Sequence, residues 1–304
     1  MKQSQRVMRE DFRELRWDTE QIQILLILCV DQFHSGARTM ASFAGAVILP
    51  SLERTFLFKN RDLKTSAHED EVSYDPDFFG VRGFDGGIAI GVNRHGLAIA
   101  NTHVKTTPDP SYHVLTEQLL LFAKDAEDAL SMTTDHLETG RVYQWSNLIV
   151  ADHDSMLVIE LAGGEHNIEW SERKVLRTSH HIMLDSEEDL RQQLGEGYDQ
   201  SVRRLDRGYE ILREAKKPED IFAILKDHGS APGQSSLCRH GTNGEYSTVM
   251  GYVIEVDFNT DPGRPKTVLH VAKGNPCQSS FTSIPLIFPA DDDIVRRAIS
   301  MYPK

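Results

Sequence analysis

The stretch from Ala41 to Asp62 constrains this chain more than any other. Ala41-Ser42-Phe43-Ala44-Gly45-Ala46-Val47-Ile48-Leu49 is small and apolar, and Pro50-Ser51-Leu52-Glu53-Arg54 can reverse the chain. Thr55-Phe56-Leu57-Phe58 then reads as a returning strand. Asn60-Arg61-Asp62 closes this hairpin, so Asp62, following directly on the second strand, is placed opposite the start of the first. Such a placement suits an enzyme whose strand begins with a residue that is nucleophile and base together. Its free α-amine takes the proton of its own side chain, and the acid orients that amine. Here, however, Met40 or Ala41 occupies the strand start, and Ser42 follows.

Composition narrows the partners. The 304 residues are 39% hydrophobic and 26% charged, enough for a substantial core in one large domain or two small ones. A net charge of −13 argues against a nucleic-acid groove or an anionic membrane surface as partner. Met1 to Arg6 has no apolar run behind it, and the longest apolar stretch, Ile22 to Val30, is too short to span a bilayer. A cytoplasmic location is therefore expected. Three cysteines, Cys29, Cys238 and Cys277, are an odd number without close pairing, and they read as small buried apolar residues. His153 in Asp152-His153-Asp154, and His180-His181 with Asp185, lack a recognised ligand spacing, so no metal is expected. Asp291-Asp292-Asp293 opens a short helix, where carboxylates suit the N-terminal dipole.

Along the chain, residues 8–28 read as a helix and 31–38 as a polar connector, which sets off residues 1–40 as a separable segment before a domain over 41–304. Ile88–Val92 and Leu97–Ala100 read as strands around the turn Asn93-Arg94-His95-Gly96. Thr102–Tyr112 reads as a loop, Leu115–Thr133 as a helix with one apolar face, and Asn147–Val150 and Met156–Glu160 as strands. Helices at about 197–215 and 218–227 precede strands at Thr248–Val256 and Thr267–Ala272; His181–Gly197 reads as a loop. Strands grouped in hairpins, with helices between the groups, predict an α+β fold of antiparallel sheets covered by helices. Gly83, Gly86 and Gly87 lack the spacing of a phosphate loop.

Several short pieces recur together in one family. They are Phe58-Lys59-Asn60-Arg61-Asp62, Gly91 to Asn101, Asn147 to Glu160, Thr178-Ser179-His180 and Asp199-Gln200-Ser201-Val202-Arg203-Arg204. Ile224-Leu225-Lys226-Asp227-His228, Leu237-Cys238-Arg239-His240 and Gly274-Asn275-Pro276-Cys277 complete the order. Taken together, they resemble the penicillin acyltransferase-like branch of the N-terminal-nucleophile hydrolases, more distantly related to conjugated bile salt hydrolases. The resemblance implies a four-layer αββα sandwich, two antiparallel sheets between helix layers, made as a precursor that cuts its own chain before the nucleophile. It also implies hydrolysis of a linear, non-peptide amide of a small molecule, or transfer of its acyl group, without metal or organic cofactor. The sequence leaves room for a homo-oligomer.

Carried over by residue, Asp62 matches the acid that holds the α-amine, and Lys59 stands where an Arg often lines the site, with Arg61 beside it as a second substrate-binding candidate. Asn101 matches an oxyanion donor, and Arg204 an arginine near the nucleophile. Two positions depart from the pattern. The family's Cys followed by Ser or Thr is matched best by Ala41-Ser42, and Ser179 replaces the Asn of Thr-Asn-His, an oxyanion donor. Three readings stay open: a cysteine slot at 41 filled by alanine so that the precursor is trapped, Ser42 as nucleophile with a shorter hairpin, or an inactive chain that keeps the fold and binds.

Overall fold

Strand β1 (Met40–Leu49) and strand β2 (Arg54–Leu63) pair antiparallel across a 3-10 turn at Pro50–Leu52. In the computed structural model, residues 40–64, 68–242 and 244–304 are described. The expected helix over 8–28 and Cys29 lie outside them. β3 (Val72–Tyr74), β4 (Phe78–Arg82), β5 (Ile88–Asn93) and β6 (Ala98–Lys105) follow as an antiparallel meander. Two helices come next, α1 (Tyr112–Phe122) and α2 (Ala126–Glu138), where the apolar stripe predicts one helix. The break is built by side chains. Asn93 donates to the carbonyls of Leu120 and Ala123, closing α1, and Asp125 caps α2 by accepting from the Asp128 amide.

β7 (Tyr143–Ala151), β8 (Met156–Gly163) and β9 (Glu165–Ser171) continue the meander, and β10 (Lys174–Arg177) crosses to the edge of β1. The expected loop over 181–197 contains helix α3 (Glu187–Leu194), and α4 (Glu196–Glu214) and α5 (Pro218–Lys226) lie where helices are expected. β11 (Ser247–Asp257), β12 (Lys266–Lys273), β13 (Thr282–Leu286) and α6 (Asp292–Met301) end the chain. Asp291 caps α6 by accepting from the amides of Asp293 and Ile294, so the acidic triplet is a helix start.

The strands form a six-stranded sheet, β10-β1-β2-β11-β12-β13, and a seven-stranded sheet in sequence order β3 to β9. Three apolar layers show how they stack. Ala44, Ala46, Ile48 and Leu57 of the first sheet pack with Ile90, Val92, Ala98, Ala100 and Ile149 of the second. On the outer face of the second sheet, Ile99, Leu148, Val150 and Leu157 meet Leu115, Leu119 and Ala129 of the α1–α2 layer. Phe43, Val47, Phe56 and Phe58 meet Leu205, Leu212, Ile221 and Leu225 of α4 and α5. The order is helix, sheet, sheet, helix, as the hairpin grouping and the resemblance imply. Alternation along each strand sends successive residues to opposite layers, which makes the hairpin apolar on both sides. Gly45 is required there, since a Cβ would lie 2.6 Å from the Phe58 ring and the Val175 carbonyl.

Candidate active site

The same alternation divides the polar end of the hairpin into two environments. Ala41 pairs with Asp62 and Ser42 with Arg61, so neighbouring residues serve opposite faces of the sheet. Asp62 lies within β2, one residue before its end, and it also pairs with Thr248 of β11, beside a bulge between Thr248 and Met250. Its carboxylate is fully buried. It accepts from Thr248 Oγ1 (2.7 Å) and Arg204 Nη1 (3.3 Å), with Arg239 Nη1 at 3.8 Å. Burial pushes this carboxyl above the usual carboxylate range, against the pull of the two arginines. Burial, with Arg239 beside it, also lowers Arg204 to about 9. Arg204 comes from α4; Arg239 comes from the segment after α5, and its backbone amide donates to Thr248 Oγ1.

Ser42 belongs to the face between the sheets. Lys59 Nζ lies 3.3 Å from Ser42 Oγ and also donates to the Asn101 carbonyl. Burial, reinforced by the nearby Arg61, lowers Lys59 from an ordinary lysine value to about 7, although Asp62 works the other way. Ser42, Lys59, Arg61, Ala89, Asn101, His103, Tyr112 and His113 line a small cavity. Burial, with Lys59 adding to it, lowers His103 to about 4 and holds His113 well below the usual histidine range, so both rings are neutral near pH 7. Burial keeps the Tyr112 hydroxyl protonated, and it sits 3.3 Å from His103 Nδ1. A hydroxyl beside an amine able to lose its proton near neutrality has the chemistry to act as a nucleophile with its base. A surface cleft of about 920 Å³ between Arg94, Arg264, Lys266 and Phe288 shares no residue with this cavity.

The remaining sequence candidates fall on this frame unevenly. Ser179 touches the Ser42 backbone: its Oγ accepts from the Ser42 amide (3.4 Å) and donates to the Ser42 carbonyl (3.3 Å). Asn101 donates both amide hydrogens elsewhere, to the Ile88 carbonyl (2.9 Å) and Thr116 Oγ1 (3.0 Å). Arg61 is held by Asp70 (2.6 Å) and the Arg82 carbonyl (2.8 Å). His153 meets its neighbour Asp154 and the Phe258 ring, while His180 and His181 bond Ser201 and Ser186. Arg239, Thr248, His103 and Tyr112 escape sequence reading as site residues. Only Arg239 carries a signal there, within Leu237-Cys238-Arg239-His240.

A four-layer sandwich of this kind, with a buried aspartate across from the first residues of a central strand, has the fold of the N-terminal-nucleophile hydrolases. Residues 51–260 match the family described as Acyl-coenzyme A:6-aminopenicillanic acid acyl-transferase, and the chain belongs to that family. Among solved structures it is similar to penicillin V acylase from Agrobacterium tumefaciens, at 15% identity over 80% of this chain and 86% of that one, with a TM-score of 0.48. It is also similar to a mutant of the conjugated bile acid hydrolase from Clostridium perfringens, at 11% identity over 80% of this chain and 96% of that one, with a TM-score of 0.44. No curated protein matches the chain.

Proposed function

We propose that this chain hydrolyses a linear amide of a small molecule, or transfers its acyl group, through an acyl ester on Ser42. The observation that carries the reading is the 3.3 Å contact between Ser42 Oγ and a buried Lys59 whose pKa is lowered to about 7. Neutral Lys59 takes the Ser42 proton as the oxygen attacks the amide carbonyl. The lysine then returns that proton to the departing amine, which leaves the acyl group on Ser42. Water releases it as an acid, or a second amine accepts it. The Tyr112 hydroxyl, which lines the cavity and contacts His103 Nδ1, is the donor left to meet an oxyanion, because the Asn101 amide is already committed.

The same serine suits self-cutting. Attack by Ser42 Oγ on the Ala41 carbonyl carbon breaks the Ala41–Ser42 amide and forms an ester, and water then releases residues 1–41. The freed Ser42 amine already has a partner in Ser179 Oγ. Intact mass of the purified chain, followed by peptide mapping after treatment with a chromogenic N-acyl anilide, tests both steps. Expected are loss of residues 1–41 and an acyl adduct on Ser42, each absent in Ser42→Ala. An adduct on another residue overturns the assignment. Position 41, which offers no nucleophile opposite Asp62, and the committed Asn101 amide favour a second reading, a binding protein with the hydrolase fold. An uncut chain that forms no adduct selects it.

A further inference from the structure

Three of the short sequence pieces converge on a point that the acyl chemistry leaves unused. His228 follows α5, Cys238 and His240 flank Arg239, and Cys277 follows β12. Their ligand atoms all lie within 4.8 Å of one another. Cys238 Sγ is 3.6 Å from Cys277 Sγ and 3.7 Å from His240 Nε2. His240 Nε2 is 3.2 Å from Cys277 Sγ and 3.0 Å from His228 Nε2. Zinc held at about 2.3 Å from sulfur and about 2.0–2.1 Å from nitrogen sets tetrahedral ligand atoms roughly 3.3–3.8 Å apart. The 3.6 and 3.7 Å separations fall in that range, those of 3.2 and 3.0 Å are a few tenths of an ångström shorter, and no pair exceeds 4.8 Å, so small shifts would seat the ion. Without a cation, two imidazole nitrogens pointing at each other can share only one proton, and neither thiol is a strong partner for the rings.

The geometry points to a structural zinc site made of His228, Cys238, His240 and Cys277. Two sulfurs and two imidazole nitrogens suit zinc by ligand type, and four protein ligands leave no open position for catalysis. Binding removes one proton from each thiol, so the doubly charged ion and two thiolates balance. The Asn275 amide lies 3.8 Å from Cys238 Sγ and donates to the Arg239 carbonyl (2.6 Å), a supporting contact of the sort that orients metal thiolates. Arg239 sits between two ligands, so the ion fixes the backbone that delivers a guanidinium to Asp62. Spacing rules miss the site because its ligands are 10, 2 and 37 residues apart.

The test uses the full chain, purified under a thiol reductant without chelator, its metal content measured, then stripped and titrated with zinc sulfate alone. Expected are about one zinc per chain, and Cys238 and Cys277 shielded from iodoacetamide until chelator is added, read by peptide mass. Cys277→Ser should weaken zinc binding by more than about tenfold with its circular dichroism unchanged. If that variant does not fold, thiol shielding in the unaltered chain decides. Absence of zinc after both purification and titration overturns the proposal, as does labelling that ignores zinc. A Cys238–Cys277 disulfide in the reduced preparation also overturns it.

Discussion

Lys59, the base of the proposed reaction, is a buried charge that costs stability. Its pKa falls to about 7 because burial, with Arg61 close by, penalises the ammonium. A base that must be neutral gives activity that rises with pH, so kcat/KM should climb with a midpoint near 7. Lys59→Arg, charged at every working pH, should abolish turnover while the fold persists. The linkage has the opposite sign to that of a salt-bridged lysine. The folded pKa lies below the unfolded one, so the destabilisation is full below about 7 and disappears as pH rises toward 10.5. Lys59→Met should therefore be more stable than the unaltered chain at pH 6, by about 1–4 kcal/mol in urea unfolding, with the gap closing by pH 10. Asp62 is legible in the sequence because hairpin register alone puts it across from position 41. That Ser42 and Lys59 share the other face also follows from alternation, but the pKa of Lys59 does not. It depends on burial supplied by residues far away in the chain, Asn101 and His103 among them.

At the level of elements, the apolar patterns locate β5, β6, β7, β8, β11, β12, α4 and α5, since each buries one continuous stripe or face. Where the prediction fails, polar side chains set the boundary. Leu115 to Thr133 keeps an apolar periodicity through Ala123–Asp125, yet Asn93, thirty residues upstream of Ala123, takes the last carbonyls of α1. Asn93 Oδ1 also accepts from the amides of His95 and Leu97, so one buried residue closes both the β5–β6 turn and the helix. Asn93→Ala should cost about 2–3 kcal/mol in chemical denaturation because it leaves buried backbone groups unpaired. Asp125→Ala, which removes an exposed cap alone, should cost about 1 kcal/mol. Equal costs would mean that the break is set by packing rather than by these bonds. Strand β9 escapes reading for a different reason. Every residue of it is at least partly exposed, so it carries no apolar signal and exists by pairing with β8.

Across the whole molecule, one carboxylate ties together parts of the chain that no local pattern relates. Asp70 lies in the segment before β3, and its side chain is fully enclosed. It accepts from Arg61 of β2 (2.6 Å), His68 (2.8 Å), Tyr252 of β11 (2.8 Å) and Tyr302 just beyond α6 (2.7 Å). Partners 182 and 232 residues away explain why sequence reading passes over Asp70 and takes Arg61 as a substrate-binding candidate. Burial alone would raise its pKa, but Arg61 and the three hydrogen bonds outweigh it and bring the carboxyl down to about 2. A depressed folded pKa gives stability that is present above the unfolded value of 3.8 and lost as pH falls through the window from 3.8 to about 2. That contribution is about 2 kcal/mol. Asp70→Asn leaves Arg61 buried and uncompensated, and at pH 7 it should cost about 3–5 kcal/mol. The gap between the two chains should narrow as pH falls from 4 to 2, because the unaltered chain then loses its own charge. Urea midpoints at pH 7, 4, 3 and 2 measure this directly. A gap that stays constant across that series would mean that the two tyrosine hydrogen bonds, not the ion pair, join β2, β11 and the C-terminal segment.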